Sequence, residues 1–167
     1  MLVFVIGLVA GLIGLPVVVI HVGRRWRRAQ RQALVDRAQR EFPLQRQRVE
    51  SQFRQQAASS GRPRGLVWKE VEFAEEVRFA SNRQSGQLIA LVSIAVSFEA
   101  VAGSEMEEVE AVGNLRAGSA VFYFEENRWL TRGRAIFNLD PRQSLQHFQN
   151  QWEPVRSSSA ADSGLRR

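Results

Sequence analysis

Residues 87–102, QLIALVSIAVSFEAVA, form the longest alternating stretch of the chain. Every even-numbered position from Leu88 to Phe98 is apolar, whereas the odd-numbered positions change from apolar to polar along the run. A period of two is typical of a strand that lays one face on a core. A buried helix is also rich in apolar residues, but the sustained alternation favours a strand in the middle of an antiparallel sheet.

Shorter runs with the same period lie on both sides of this stretch. Residues 66–79 contain three of them, and residues 120–139 contain two, joined by a turn at residues 125–128. Gly133 stands inside the last run, where a glycine indicates a bulge or a close approach of another backbone. The pattern predicts a small antiparallel sheet of about five strands.

A helix is predicted after the last strand. Asp140 is a suitable N-cap and Pro141 a suitable first helical residue. We expect the helix to span residues 141–152 and to cover the sheet with Leu145, Phe148 and Trp152. Strands followed by a helix indicate the α+β class. The small α+β domain is therefore predicted at residues 65–154, followed by a disordered tail at residues 155–167.

The beginning of the chain is of a different kind. Residues 1–22, MLVFVIGLVAGLIGLPVVVIHV, contain no charged residue. Roughly 20 mostly apolar residues are needed to cross a bilayer as a helix, so this stretch predicts a single transmembrane anchor. A cleaved signal peptide would carry a positive charge before the apolar run and a small-residue site after it. Here no Lys or Arg precedes the run and arginines follow it.

Three glycines within the anchor recur at helical spacing: Gly7, Gly11 and Gly14. Small residues at this spacing let two membrane helices approach closely, so they define a face for a helix partner. Glycine is also simply frequent in membrane helices, and the sequence does not separate the two explanations.

A cluster of basic residues follows the anchor and is predicted to lie at the membrane interface. It consists of Arg24, Arg25, Arg27 and Arg28, with Trp26 among them. Basic flanks favour the cytoplasmic side, which predicts an outside N-terminus and a cytoplasmic domain, as in a bacterial inner-membrane protein. Residues 24–64 hold twelve arginines against three acidic residues. Anionic lipid headgroups are the expected partner, and the neighbouring apolar stretch makes lipid a nearer anion than nucleic acid.

Residues 23–57 predict a basic juxtamembrane helix. Its apolar stripe is narrow, is interrupted by Gln45, and consists of Val35, Ala38, Phe42, Val49 and Phe53. We expect a break or kink near Pro43. Three placements remain open for this helix: on the bilayer surface, on the following domain, or against another helix. Residues 58–64 have the composition of a linker.

No motif of a known catalytic, nucleotide or metal site is present, and the chain has no cysteine. His21 is a candidate axial ligand for a haem or pigment, although a polar residue wetted by headgroups explains it better. His147 and the glutamates around residues 105–110 are read as solvated surface groups. The sequence therefore predicts no cofactor, no metal and no enzymatic activity.

These features predict a single-pass membrane protein that serves as an accessory or scaffold subunit, with other membrane protein subunits as partners. The alternative is a membrane-tethered module that binds a small apolar ligand or a peptide on a concave face of its sheet. An enzyme is the third hypothesis, and it would require His147 to face a cavity beside a carboxylate.

Overall fold

The computed structural model describes residues 2–60, 65–107 and 115–155, and for residues 2–20, 59 and 60 it describes the backbone alone. The described elements comprise two helices and five strands. In chain order they are α1 (Leu2–Ser60), β1 (Leu66–Asn82), β2 (Leu88–Ala100), β3 (Arg116–Glu125), β4 (Arg128–Phe137), α2 (Pro141–His147) and β5 (Trp152–Pro154).

The strands form one curled antiparallel sheet in the order β4-β3-β2-β1-β5. The α+β class and the antiparallel sheet are thus confirmed. Strand β2 lies in the middle, paired with β1 on one side and β3 on the other. All six even-numbered residues from Leu88 to Phe98 are buried, as their alternation predicts.

Strand β1 is a single long strand where the sequence shows three short runs. Its register against β2 shifts between Trp68 and Glu70 and again between Phe73 and Val77. Extra residues at such bulges bend a strand and strengthen its twist. The first shift also changes which positions face the core, and this explains why the alternation changes phase between the first and second runs.

The chain divides into two compact units, Met1–Arg37 and Ala38–Arg167, and we call the second unit the body. Helix α1 is continuous through Pro43, so the break predicted there is absent. The helix also continues to Ser60, so the first part of the predicted linker is helical; residues 61–64 lie outside the described residues. The second half of α1 therefore belongs to the body.

Within the body, residues 38–58 of α1 lie on the concave face of the sheet. Phe42 packs edge-on against Phe79, Phe122 and Trp129, with ring centroids 5.7, 5.8 and 5.1 Å apart. Phe53 makes similar contacts with rings of β1 and β3. Of the three placements left open for the juxtamembrane helix, this part of it packs on the following domain. Burial of Phe42 also explains the continuous helix, because the packing offsets the roughly 3 kcal/mol that an interior proline costs.

The opposite face of the sheet is covered by α2. Helix α2 begins as predicted, with Asp140 and Gln143 forming a capping box. It ends at His147, however, and the prediction that it continues to Trp152 is wrong. Trp152 instead begins β5, which pairs with β1 at Asn82. The apolar cluster on this face consists of Ala80, Ile89, Leu91, Val121, Tyr123, Leu145 and Trp152.

The predicted membrane anchor receives no support from the described residues. Among the residues with described side chains, no helix combines the length and the apolar character that crossing a membrane requires. Of the predicted span, residues 1–20 lie outside that set. The predicted tail, apart from Val155, also lies outside the described residues.

Candidate functional site: the arginine-rich segment of α1

The residues predicted to lie at the membrane interface all fall on α1 within the unit Met1–Arg37. Every side chain from His21 to Leu34 is exposed. Three of the exposed residues are large and apolar: Trp26 is 70% exposed, Val22 59% and Leu34 42%. This exposed helical segment is the strongest candidate for a binding surface in the described part of the chain.

The helical spacing divides the segment into two faces. Arg24, Arg27, Arg28 and Arg31 follow one another at i, i+3, i+4 and i+7 and therefore share a face, which we call the arginine face. The other face is apolar and consists of Val22, Trp26, Ala29 and Ala33. The two faces are centred roughly opposite each other at 100° per residue.

The sequence predicts only a cluster at residues 24–28 and does not divide it between two faces. That cluster includes Arg25, which lies beside the arginine face, and omits Arg31, which belongs to it. The spacing was available in the sequence and, together with the helix predicted over residues 23–57, was a sufficient signal for this face; α1 is helical there in the structure.

The electrostatic potential of the segment is set by its arginines. No acidic residue occurs in the chain before Asp36, whose carboxylate accepts a hydrogen bond from Gln32 at 3.1 Å. No ion pair of Arg24, Arg27 or Arg28 exists within the described residues. Among the described residues their charges have no carboxylate partner, and a cluster of like charges attracts anions.

The other predicted site residues are not assembled into a site. Gly7, Gly11 and Gly14 lie in the part of α1 for which only the backbone is described, so their predicted role is not tested. His21 is exposed, and within the described residues no group of three His, Asp or Glu side chains is placed to hold a metal ion. His147 is exposed on α2, with its ring 4.8 Å from the ring of Phe148. In the described part of the chain no hydrogen bond joins it to a carboxylate.

The concave face of the sheet is occupied by α1 itself. The rings of Phe42 and Phe53 are almost fully buried there, at the place where the alternative hypothesis puts a ligand or peptide. A close backbone approach near Gly133 reinforces this contact: a Cβ at that position would lie 2.7 Å from the backbone nitrogen of Ala57. The sequence predicted either a bulge or a close backbone approach at Gly133, and both are present. The bulge is the shift in the register of β4 against β3 next to Gly133.

The buried polar groups of the body are paired with one another. Ser144 Oγ donates to Ser119 Oγ at 3.1 Å, and Ser119 Oγ donates to the Leu139 carbonyl at 2.8 Å. Over the described residues, no buried side-chain nitrogen or oxygen lacks a partner. The network links α2 to β3 and to the backbone that precedes α2.

Stacked arginines cover the apolar cluster on the opposite face of the sheet. The Arg134 guanidinium lies 5.4 Å from the Trp152 ring and 5.8 Å from the Phe148 ring. Arg132 lies 4.8 Å from the Tyr123 ring and pairs with Glu125 at 2.8 Å. Such contacts shield apolar rings from water and add about 0.5–1 kcal/mol each at exposed sites. They complete the fold of the body.

Comparison with known proteins assigns no relative to the chain: no protein-family model matches it, and neither a curated protein nor a solved structure is similar enough to count as a match. The function must therefore be argued from the arrangement of residues, because a fold alone does not define an activity.

Proposed function

We propose that this chain is a non-catalytic, single-pass membrane protein that acts as an accessory or scaffold subunit of a larger membrane complex. The observation that carries the proposal is the order of residues: an uncharged stretch at 1–22 is followed within two residues by the first of five arginines. Each arginine at the centre of a membrane helix costs about 2.5–3.5 kcal/mol to insert. The apolar stretch favours lipid, and the arginines stop translocation behind it.

The same asymmetry supports an orientation. Arginines beside the span retain that end on the cytoplasmic side, so the body lies in the cytoplasm and the N-terminus lies outside, as in a bacterial inner-membrane protein. This placement puts the exposed arginine-rich segment directly at the cytoplasmic leaflet.

The packing of the body supports a scaffold rather than a ligand carrier. Residues 38–58 of α1 cover one face of its sheet, and α2 covers the other. Its buried polar atoms are paired with each other over the described residues. Such a body offers its outer surface to partners, and no specific observation favours binding of a small apolar ligand in its interior.

Extraction of membranes tests the anchor. The wild-type chain is expected to remain with the membranes after washing with alkaline carbonate. The double variant Leu8→Arg/Leu12→Arg is expected to leave them, since the two charges oppose insertion by about 5–7 kcal/mol together. The matched control Leu44→Arg/Leu115→Arg makes the same exchange at side chains that are 81% and 68% exposed in the body, and it is expected to behave as the wild type does.

Solubilisation in a mild neutral detergent, followed by native gel electrophoresis and identification of co-migrating chains, tests the subunit role. A discrete complex larger than the chain in its micelle is expected. A chain that is strictly monomeric and migrates alone, although it is anchored, would contradict the subunit role while leaving the anchor intact.

A further inference from the structure

We propose that the arginine face of α1, formed by Arg24, Arg27, Arg28 and Arg31, is a binding site for the phosphate groups of anionic phospholipids. We propose further that Trp26, on the opposite face, lies at the same depth in the headgroup layer. The inference rests on the proposed function, because the span at residues 1–22 is what brings the segment to a bilayer.

The dimensions of the segment fit the headgroup layer. Arg24 and Arg31 are seven residues apart, so the arginine face extends about 10 Å along the helix axis at 1.5 Å per residue. The polar layer of one leaflet is about 5–8 Å thick. An upright helix that leaves the hydrocarbon at Val22 therefore carries Arg24, Arg27 and Arg28 through this layer and places Arg31 beyond it, whereas a tilted helix keeps all four closer to the phosphates.

The chemistry of the two faces fits the same layer. The guanidinium group is a planar fork of donors that matches phosphate oxygens and remains charged at any physiological pH. Three of the four arginines have no ion pair within the described residues, so a phosphate would not have to displace a carboxylate. Trp26 is 70% exposed to water, and an indole ring is most stable at the boundary between headgroups and acyl chains.

Charge complementarity and proximity together identify the occupant as lipid. The segment attracts any polyanion, and a nucleic acid would satisfy the arginines equally well. However, the face is only about two helical turns long and begins two residues after the span. It is thus held continuously beside a surface of phosphates, at an effective concentration that a diffusing nucleic acid does not reach.

The test measures lipid selectivity of the full-length chain in phosphatidylcholine vesicles. Trace spin-labelled phosphatidylglycerol and spin-labelled phosphatidylcholine are added separately, and the fraction of each that the protein immobilises is read by electron paramagnetic resonance. The test variant is Arg24→Gln/Arg27→Gln/Arg28→Gln. The matched control, Arg116→Gln/Arg128→Gln/Arg142→Gln, removes the same charge from exposed arginines of the body.

The wild type and the control are expected to prefer phosphatidylglycerol by at least about fivefold at low salt, the value that corresponds to one arginine at an anionic surface. For the test variant, the ratio of immobilised phosphatidylglycerol to immobilised phosphatidylcholine is expected to be near one. The same ratio is expected for the wild type in about 1 M salt, because the Debye length there is only about 3 Å. The fluorescence of Trp26 is obtained by subtracting the emission of Trp26→Phe from that of the wild type. Acrylamide is expected to quench this Trp26 fluorescence less in vesicles than in 6 M urea without lipid.

Three outcomes separate this inference from the function on which it rests. Equal preference in all three proteins, with the chain inserted, overturns the lipid site and leaves the anchor standing. Arginine-dependent binding to phosphatidylglycerol vesicles by a chain that does not insert into phosphatidylcholine supports the lipid site and overturns the anchor. A duplex RNA that displaces the spin-labelled phosphatidylglycerol at equal phosphate concentration overturns the assignment to lipid in favour of nucleic acid.

Discussion

Replacing Gly133 by alanine tests the contact that joins α1 to the sheet. Gly133 has a φ of +66°, and a Cβ added to it would lie 2.7 Å from the backbone nitrogen of Ala57 and 2.8 Å from the carbonyl carbon of Gln56. Two independent penalties therefore fall on one methyl group. An L-residue in the left-handed region costs about 1–2 kcal/mol, and overpacking against a backbone that cannot rotate away costs about 1–3 kcal/mol.

The chain offers a control for each penalty. Gly86 has a φ of +71° with nothing within 4 Å of its added Cβ, so Gly86→Ala carries the conformational penalty alone. Gly118 is not in the left-handed region, but its added Cβ would lie 2.6 Å from the Ile136 carbonyl oxygen, so Gly118→Ala carries the steric penalty alone. We expect Gly133→Ala to lower the free energy of unfolding by about 2–5 kcal/mol, close to the sum of the two controls.

Thermal unfolding of the full chain in neutral detergent, followed by near-ultraviolet circular dichroism, measures these changes. The signal is suited to the body because Trp129 is completely buried there, whereas Trp26 is exposed. At about 4 °C per kcal/mol, Gly133→Ala is expected to lower Tm by roughly 8–20 °C and Gly86→Ala by roughly 4–8 °C. A Tm for Gly133→Ala equal to that for Gly86→Ala would refute the close approach of α1 to β4.

Three further changes probe the body by the same measurement. Phe53→Ala is expected to cost about 3–5 kcal/mol because the ring is fully buried among other rings, whereas Leu44→Ala, on the exposed side of the same helix, is expected to cost less than about 0.5 kcal/mol; similar losses would contradict the placement of α1. Arg46→Met removes the donors to the backbone carbonyls at the second β1 bulge and is expected to cost about 1.5–3 kcal/mol, with no loss counting against a bracing role. Asp140→Ala is expected to cost about 0.5–2 kcal/mol and Asp140→Asn much less; equal losses for the two would show that the N-cap hydrogen bond is not what the carboxylate contributes.

Local patterns were sufficient to predict the sheet. The alternation around β2, the turn between β3 and β4 and the glycine at position 133 each report the immediate environment of the residues that carry them. These signals are short-range, because a period of two depends only on which side of one strand faces the core.

The role of α1 could not be predicted from its periodicity. Its stripe was read as sparse because Gln45 interrupts it, yet Gln45 Oε1 accepts a hydrogen bond from the backbone nitrogen of Trp129 at 3.0 Å. Arg48 completes the contact by donating to the Trp129 carbonyl at 2.9 Å. A polar residue that satisfies an edge strand looks the same in a sequence as one that faces solvent, because its partner is more than 80 residues away.

The end of α2 was missed for a similar reason. Phe148 and Trp152 are four residues apart and fit a helix as well as they fit the observed turn and strand. The choice is made by pairing of β5 with Ala80 to Asn82 of β1, which is a long-range contact. For the candidate site, four of the arginines were found directly from the sequence. Their division into an arginine face and an apolar face follows from the predicted helix and the spacing of the residues, but it was not drawn from them.

The most direct test of the proposed function is to measure on which side of the membrane the body lies. The protein contains no cysteine, so Gln84→Cys, in an exposed turn of the body, introduces a single reactive thiol without background. Spheroplasts that produce this variant are treated with a membrane-impermeant maleimide before or after lysis, and the membrane fraction is analysed for labelling. We predict labelling only after lysis, with all of the chain in the membrane fraction. Labelling of intact spheroplasts, or recovery of the chain in the aqueous fraction, would contradict the anchored, cytoplasm-facing arrangement.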